Sequence, residues 1–174
     1  MERILIVVDM QNDFVDGALG TKEAAAVVDQ VVSKIQACSG RIIATLDTHQ
    51  QNYLETAEGK KLPVPHCIKM TQGWQLNEKI LQALSGKNYM TIEKGTFGSV
   101  ELVDEIGRIL KEKEIEVELV GLCTDICVVS NALLLKAHFP EMRILVDADC
   151  CAGVTPETHQ AALETMKMCQ IELE

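Results

Sequence analysis

The chain begins with the stretch Arg3-Ile4-Leu5-Ile6-Val7-Val8-Asp9, a nearly continuous apolar run that ends in an acid. Runs of this length without polar alternation are typical of strands that are buried on both faces of a parallel sheet. Further runs of this kind follow, the last of them weaker than the others: Arg41–Asp47, Asn88–Lys94, Glu116–Leu122, Arg143–Asp149 and Cys169–Leu173. The sequence therefore predicts a sheet of six strands.

Helical patterns alternate with these strands. The predicted helices are Thr21–Ser39, Ser99–Lys113, Asp125–His138 and Pro156–Met168. Gly40 is placed as a C-cap would be, and Thr155 before Pro156 predicts a capped helix start. Strand–helix alternation predicts an α/β fold, a three-layer α/β/α sandwich with a mostly parallel six-stranded sheet. The length of 174 residues fits one domain over residues 1–174.

Composition and charge narrow the range of partners. Hydrophobic residues make up 47% of the chain, and the formal net charge is −10. An acidic chain repels phosphate backbones, so we expect no nucleic-acid partner and no anionic membrane surface. The longest apolar runs fall far short of the ~20 residues that cross a bilayer. With seven cysteines and no secretory leader pattern in the first residues, we expect a cytoplasmic protein with reduced thiols.

Chemistry-bearing residues stand where the predicted strands end. Asp9, Asp47 and Lys94 close the first three strands, and Cys127 follows the fourth after Cys123-Thr124-Asp125-Ile126. In open α/β sheets, ligands bind beyond the carboxyl ends of the strands. We also place the end of the fifth strand at Asp147 and Asp149. An acid, a base and a thiol at one edge of a sheet predict a hydrolytic site.

Cys127 is the candidate nucleophile. It lies at the start of a predicted helix, where the helix dipole and free N–H groups favour a thiolate. A nearby Lys94 ammonium would favour the thiolate further, and Asp9 could accept the thiol proton and later return it to a leaving amine. The alternative is that Cys127 is only a small buried hydrophobic residue.

A second group of residues has the character of metal ligands. Asp47 and His49 stand two positions apart, so both can point to the same side of an extended chain. His66 follows in a long segment, Thr48–Gly73, that lacks clear periodicity. One carboxylate and two imidazoles suit Zn, Mn, Fe or Co. The alternative is that both histidines are ordinary polar residues of a loop.

The segment Gly121-Leu122-Cys123-Thr124-Asp125-Ile126-Cys127 resembles the nucleophile turn of the isochorismatase-like cysteine hydrolases. Two further segments resemble that family in the same order: Ile6–Phe14, with its acid, and Ile92–Ser99, with its lysine. The resemblance implies the strand order 3-2-1-4-5-6, a cis peptide bond between Leu122 and Cys123, and an oxyanion hole formed by the N–H groups of Cys123 and Cys127. It also implies a homo-oligomer.

The Asp-x-His pair with a later histidine is similar to the nicotinamidase branch of the family. That resemblance implies a divalent metal, zinc first with Mn or Fe as alternatives, which holds the ring nitrogen of a small amide. It implies a further carboxylate ligand, for which Glu58 is the candidate and Glu55 the rival. The expected pocket wall contains Phe14, with Trp74, Tyr53 and Phe97 as further candidates.

The expected reaction is the hydrolysis of nicotinamide to nicotinate and ammonia through a Cys127 thioester, a step of pyridine-nucleotide salvage. One alternative is a metal-free amidase that acts on a small carbamoyl or ureido compound, in which His49 and His66 would lie apart. Another is a binding protein that keeps the fold without turnover. Ether cleavage of the isochorismate type is disfavoured, since members with that activity lack a cysteine nucleophile.

Overall fold

A computed structural model describes residues 1–174 and contains one six-stranded sheet. The strands, in chain order, are β1 (Glu2–Val8), β2 (Ile42–Asp47), β3 (Tyr89–Lys94), β4 (Ile115–Leu122), β5 (Ile144–Ala152) and β6 (Glu172–Leu173). All neighbouring pairs are parallel, and the spatial order is β3-β2-β1-β4-β5-β6. The predicted α/β class and the strand order implied by the resemblance are therefore confirmed.

Helices cover both faces of the sheet. They are α1 (Asn12–Val15), α2 (Lys22–Ala26), α3 (Val28–Ala37), α4 (Ala57–Lys61), α5 (Glu78–Leu84), α6 (Val100–Leu110), α7 (Val129–His138) and α8 (Pro156–Met168). The apolar residues of α6, α7 and α8 form one core with one face of the sheet, and those of α2, α3 and α5 form a second core with the other. Both cores are almost entirely aliphatic, as the low aromatic content requires.

The helix predicted over Thr21–Ser39 is two helices, and this prediction was wrong. Thr21 caps the first helix by accepting a hydrogen bond from the N–H of Ala24. The break falls at Val27, followed by Val28, and both are β-branched residues of low helix propensity. Gly40 is not a C-cap either, because α3 ends at Ala37. A Cβ on Gly40 would lie 2.4 Å from the carbonyl oxygen of Arg3, so this glycine permits close packing on β1.

The fifth strand runs further than predicted, to Ala152 rather than Asp149. Its pairing with β4 shifts register between Leu119 and Gly121, and the strand resumes beyond this irregularity. Asp147 is therefore inside the strand, where its carboxylate binds the Lys34 ammonium 2.5 Å away. Neither Asp147 nor Asp149 stands at a strand end, and the expectation that they close the fifth strand was wrong.

The predicted start of α8 is confirmed. Thr155 accepts a hydrogen bond from the N–H of Thr158 and completes a reciprocal capping box, with Pro156 in the first turn.

No helix of the molecule combines the length and the apolar character needed to cross a bilayer.

Candidate active site

The order of the strands reverses between β1 and β4, which creates a crevice at the carboxyl edge of the sheet. Asp9 follows β1 on one side of this crevice, and Cys127 follows β4 on the other. The two ends are brought close by Gly121, whose φ is +116° and whose added Cβ would lie 2.2 Å from the carbonyl oxygen of Val8. Only glycine fits there, since both the backbone angle and the space exclude a side chain.

Asp9, Lys94 and Cys127 form one buried group. The Lys94 Nζ lies 2.7 Å from the Asp9 Oδ2 and 3.4 Å from the Cys127 Sγ. The three residues are 0%, 2% and 4% exposed, respectively. Lys94 also donates a hydrogen bond to the carbonyl of Thr96 at 3.1 Å. The ammonium is thus held between the acid and the thiol by groups that its own loop supplies.

The carboxylate of Asp9 is oriented by a residue that the sequence did not single out. The Thr45 hydroxyl donates to the Asp9 Oδ1 at 2.6 Å, which leaves Oδ2 to face Lys94. Asp9 also has a φ of +47°, in the left-handed region that residues other than glycine seldom adopt. Such backbone positions concentrate at functional sites. Thr45 carries no pattern of its own in the sequence, because it lies inside an apolar strand.

The surroundings of Cys127 favour the neutral thiol over the thiolate. Burial and the negative charge of Asp9 raise the pKa of the thiol well above its usual value, and Lys94 only partly opposes them. We expected the helix start and Lys94 to favour the thiolate. Lys94 does lower the pKa of the thiol, but burial and Asp9 outweigh it. A thiol in this environment needs a base in the site before it can attack. Burial also raises the pKa of Asp9, against the opposing influence of Lys94.

The nucleophile turn is less regular than predicted. Cys127 lies in a π-helical turn, Thr124–Val128, which precedes α7, so the helix predicted from Asp125 begins only at Val129. The peptide bond between Leu122 and Cys123 is cis, as the resemblance implied. The Thr124 hydroxyl lies 2.8 Å from the Nδ1 of His159. The oxyanion role of the Cys123 and Cys127 N–H groups stays a prediction.

The candidate metal ligands converge beside this group. One ligand atom from each of Asp47, His49 and His66 lies within 4.8 Å of the others, and all three residues are buried. Glu58, on α4, brings its Oε1 to 3.7 Å from the His49 Nε2 and 3.6 Å from the His66 Nε2. Its rival Glu55 is exposed on a 3₁₀ turn. Of the two glutamates, only Glu58 therefore lies beside the candidate ligands.

The residues present fit a divalent cation. The Nε2 of His49 is buried and has no hydrogen-bond partner of good geometry. Burial acts to raise the pKa of Asp47, but the interactions with His49 and His66 outweigh it and hold this pKa below its usual range. An ionised carboxylate and two imidazoles are the donor set that zinc and similar metals prefer. The Lys94 Nζ lies 3.7 Å from the Asp47 Oδ1, so the two groups of residues adjoin.

Local contacts explain why His66 returns to His49 across a long loop. The N–H of His49 donates to the carbonyl of Cys67, and His49 forms an isolated parallel bridge with Ile68. The Asp13 Oδ2 accepts from the N–H of Cys67 at 2.7 Å. Sequence reasoning did not assign this role to Asp13, although it noted the segment in which Asp13 lies.

A second residue that sequence reasoning missed is Gln11. Its side chain accepts from the N–H of Asp47 and donates to the carbonyls of Asp47 and Trp74. Gln11 is fully buried. It therefore fixes the main chain of a candidate metal ligand from the neighbouring strand end.

A cavity of about 450 Å³ opens onto both groups of residues, and Cys123, Cys127, Asp47, Glu58 and His66 line it together with apolar side chains. Phe14 and Phe97 are among the lining residues, as expected for a pocket wall. A larger cleft of about 710 Å³ lies at the amino edge of the sheet, beside Arg3 and Asn88, and contains none of the candidate site residues.

The other two aromatic candidates are placed elsewhere. Trp74 does not line the cavity, and its indole N–H donates to the Thr48 hydroxyl at 2.9 Å. Tyr53 is 1% exposed and packs edge-on against the rings of His49 and His66. Tyr53 is thus a support of the candidate metal ligands rather than a wall of the pocket.

A doubly wound parallel sheet with these groups at its switch point defines an α/β enzyme class with an acid, an ammonium and a thiol in one crevice. The chain belongs to the family described by the isochorismatase domain, whose family model matches residues 3–173.

Individual relatives resemble the chain over nearly its whole length. It is 31% identical to the nicotinamidase/pyrazinamidase of Mycobacterium tuberculosis over 98% of this chain and 97% of that protein. The crystal structure of the Bacillus subtilis nicotinamidase/pyrazinamidase superposes with a TM-score of 0.85 at 27% identity, covering 99% of each chain. The pyrazinamidase of Pyrococcus horikoshii in complex with zinc superposes with a TM-score of 0.79 at 27% identity, covering 100% of this chain and 99% of that one.

Proposed function

We propose that this chain is a metal-dependent cysteine amidohydrolase that hydrolyses nicotinamide to nicotinate and ammonia. The observation that carries the proposal is the contact between two groups of residues: the Lys94 ammonium that binds Asp9 also lies 3.7 Å from Asp47 of the metal ligand set. Both groups open onto one cavity of about 450 Å³ with an apolar wall. A small aromatic amide could therefore meet the thiol and the metal site at once.

The first half of the reaction forms a thioester. Asp9 accepts the proton of the Cys127 thiol, and the Lys94 ammonium between them stabilises the charged groups that result. The sulfur attacks the amide carbon, and the N–H groups of Cys123 and Cys127 are proposed to hold the oxyanion. Asp9 then returns its proton to the nitrogen, the C–N bond breaks, and ammonia leaves.

The second half releases the acid. A water molecule enters the position that ammonia has left, and Asp9 accepts its proton as the water attacks the thioester carbon. The C–S bond breaks, and Asp9 gives this proton to the departing sulfur, which restores the thiol and the carboxylate. The same carboxylate acts as base and acid in both halves, which requires that it stay close to the thiol. Its hydrogen bond from Thr45 and its contact with Lys94 provide that position.

Zinc is the metal we propose, with Mn and Fe as alternatives. Asp47, His49, His66 and Glu58 would hold it, a donor set of nitrogen and oxygen atoms that suits zinc. The Pyrococcus horikoshii pyrazinamidase in complex with zinc supports this choice. When bound, the metal would supply a Lewis acid that accepts the lone pair of the ring nitrogen and orients the amide toward the thiol.

The metal-free alternative finds no support in the geometry. A carbamoyl or ureido amidase without the metal would leave His49 and His66 apart, whereas their ring centroids lie 4.8 Å from each other. A binding protein without turnover is also disfavoured, because the acid, the ammonium and the thiol stand within contact distance.

We also propose a domain organisation, an oligomeric state and a cellular location for this protein. Residues 1–174 would work as one domain, which the family match over residues 3–173 supports. The homo-oligomeric state and the cytoplasmic location rest on the family resemblance and on the cysteine content. Size-exclusion chromatography with light scattering would measure the oligomeric state directly.

Ammonia release from nicotinamide tests the function. We expect the purified, zinc-loaded protein to release ammonia and nicotinate in equal amounts. Chelation should abolish the release, and added zinc should restore it. Cys127→Ala should be inactive, whereas Cys169→Ala, at an exposed cysteine, should keep full activity. Metal-loaded protein without any release from nicotinamide would refute the substrate, and an active Cys127→Ala variant would refute the mechanism.

A further inference from the structure

Asn131 is a fully buried polar side chain on α7 that the proposed reaction does not use. Its Nδ2 donates to the carbonyl of Cys127 at 2.8 Å and to the carbonyl of Phe97 at 3.1 Å. Its Oδ1 accepts from the N–H of Ser99 at 2.9 Å. Two carbonyls and one N–H fix which end of the amide is which. All three bonds end on two segments, the nucleophile turn and the loop after Lys94.

The surroundings of Asn131 make this choice of residue informative. The neighbouring buried residues of the same core, Val128, Ala132 and Leu135, are apolar. A buried amide among apolar side chains is costly unless its hydrogen-bonding groups are satisfied. A leucine would fill a similar volume without that requirement. The amide therefore serves the segments to which it binds rather than the packing of the core.

Each bonded segment carries part of the site. The carbonyl of Cys127 belongs to the proposed nucleophile itself, so its hydrogen bond from Asn131 restricts how the main chain of that residue can rotate. The other segment begins at Lys94, whose Nζ donates to the Thr96 carbonyl, and it continues through Phe97, which lines the cavity. Asn131 bonds to the main chain of both segments.

We propose that Asn131 is a positioning residue that locks the loop after Lys94 to the nucleophile turn. It keeps the thiol, the ammonium and the Phe97 wall of the cavity in one geometry. This inference rests on the proposed amidohydrolase function, because it assigns Asn131 to the precision of that site. A misplacement of about 1 Å in such a site can cost about 10²-fold in rate.

Two substitutions separate the bonds of Asn131. Asn131→Asp keeps an acceptor for the Ser99 N–H but loses both donors, and Asn131→Leu loses all three bonds at similar volume. We expect kcat for nicotinamide to fall about 10- to 100-fold in both variants, with a smaller change in KM. Should Asn131→Leu fail to fold, Asn131→Ser offers a smaller side chain that removes the bonds to Phe97 and Ser99 without added bulk.

Two controls separate positioning from stability. Ser130→Ala changes the adjacent residue of α7, whose side chain makes no hydrogen bond, and should leave kcat and Tm unchanged. Ile35→Val removes one methyl group from a buried residue near the end of α3, beside the cleft at the amino edge of the sheet, and should lower Tm without lowering kcat at temperatures below it. Asn131 variants that behave like Ile35→Val, with a lower Tm and full kcat, would overturn the inference.

Hydrogen exchange measured by mass spectrometry adds a result that needs no substrate. Peptides that cover residues 96–99 and 124–131 should both exchange faster in the Asn131 variants, while the β1 peptide should not change. Unchanged exchange in either segment would overturn the inference. A wild-type protein that does not turn over nicotinamide would refute the proposed function instead, and the exchange result would still decide whether Asn131 joins the two segments.

Discussion

Asp9 is the residue on which both halves of the proposed reaction depend. The Cys127 thiol does not ionise by itself at neutral pH, because burial and the charge of Asp9 raise its pKa. Burial opposes the charge on Lys94, but the carboxylates of Asp9 and Asp47 hold the pKa of Lys94 above its usual value. Lys94 therefore acts as an ammonium, and the proton that moves in the proposed reaction passes between the acid and the thiol.

Replacement of this acid by its amide removes the base and keeps the shape. We expect Asp9→Asn to lower kcat for nicotinamide by about 10²- to 10⁴-fold, the usual contribution of general acid–base catalysis. Steady-state ammonia release measures the effect, with Asp16→Asn, an exposed aspartate, as the matched control. An Asp9→Asn variant with more than about a tenth of the wild-type kcat would contradict the assigned role.

At the scale of elements, α4 is the piece of structure that completes the candidate metal site. Thr56 caps this short helix by accepting from the N–H of Gly59, and the Tyr53 hydroxyl donates to the carbonyl of Leu62 at its other end. Both contacts fix Glu58 over the two histidines. The sequence alone could not choose between Glu58 and Glu55, because the loop has no periodicity from which to read the direction of either side chain.

The two glutamates of this loop should differ in their effect on metal affinity. We expect Glu58→Gln to weaken zinc binding at least about 10-fold, whereas Glu55→Gln should leave the affinity unchanged. Competition with a chromogenic chelator measures both values on the metal-stripped protein. Equal affinities for the two variants would show that α4 supplies no ligand.

The amino end of β4, at the edge of the sheet away from the thiol, carries a separate set of charges. Glu116 binds Arg3 and Arg143, each at 2.7 Å. Hydrogen bonding to Arg3, with a further contribution from Arg143, lowers the pKa of Glu116 below its usual 4.5. A carboxylate whose pKa is lowered by folding stabilises the fold above its unfolded pKa and loses this contribution as the pH falls through the folded value.

Removal of the Glu116 charge should therefore lower the free energy of unfolding at neutral pH and have less effect in acid. We expect Glu116→Gln to lower the free energy of unfolding by about 1 kcal/mol at about pH 7, since both arginines are partly exposed and screened by water. The difference from wild type should shrink as the pH falls through the folded pKa of Glu116, because the native carboxyl then becomes protonated. Urea unfolding over a series of pH values from neutral into acid measures it, and a difference that does not shrink with falling pH would contradict the role of the ion pairs.

At the scale of the whole molecule, the strands were the most predictable part of the fold. Their apolar runs specify burial on both faces, and the residues that end them specify which edge carries the site. The strand order followed from the family resemblance, since no run of residues encodes which strand lies beside which. The extension of β5 to Ala152 was not predictable, because it depends on register rather than on a local pattern. The break at Val27 was not predicted, because Val27 and Val28 also fit the apolar spacing of one continuous helix.

Some residues of the candidate site could be predicted from the sequence, and others could not. Asp9, Lys94 and Cys127 could be named because they end or follow strands, and the fold brings them into contact. The supports Thr45, Gln11 and Asn131 could not be named, since a single polar residue in an apolar element has no pattern until its partners are known. Trp74 was a candidate for the pocket wall because the family resemblance implies an aromatic wall and the chain has few aromatic residues, and the structure directs its indole to Thr48 instead.

Capture of the covalent intermediate tests whether Cys127 carries the reaction. Zinc-loaded protein is mixed with nicotinamide, quenched in acid during turnover, digested and examined by mass spectrometry. We expect a nicotinoyl group on the peptide that contains Cys127 and on no other cysteine peptide, with no adduct in Cys127→Ala. Turnover of nicotinamide without any adduct on Cys127, together with activity in Cys127→Ala, would contradict a thioester mechanism at this residue.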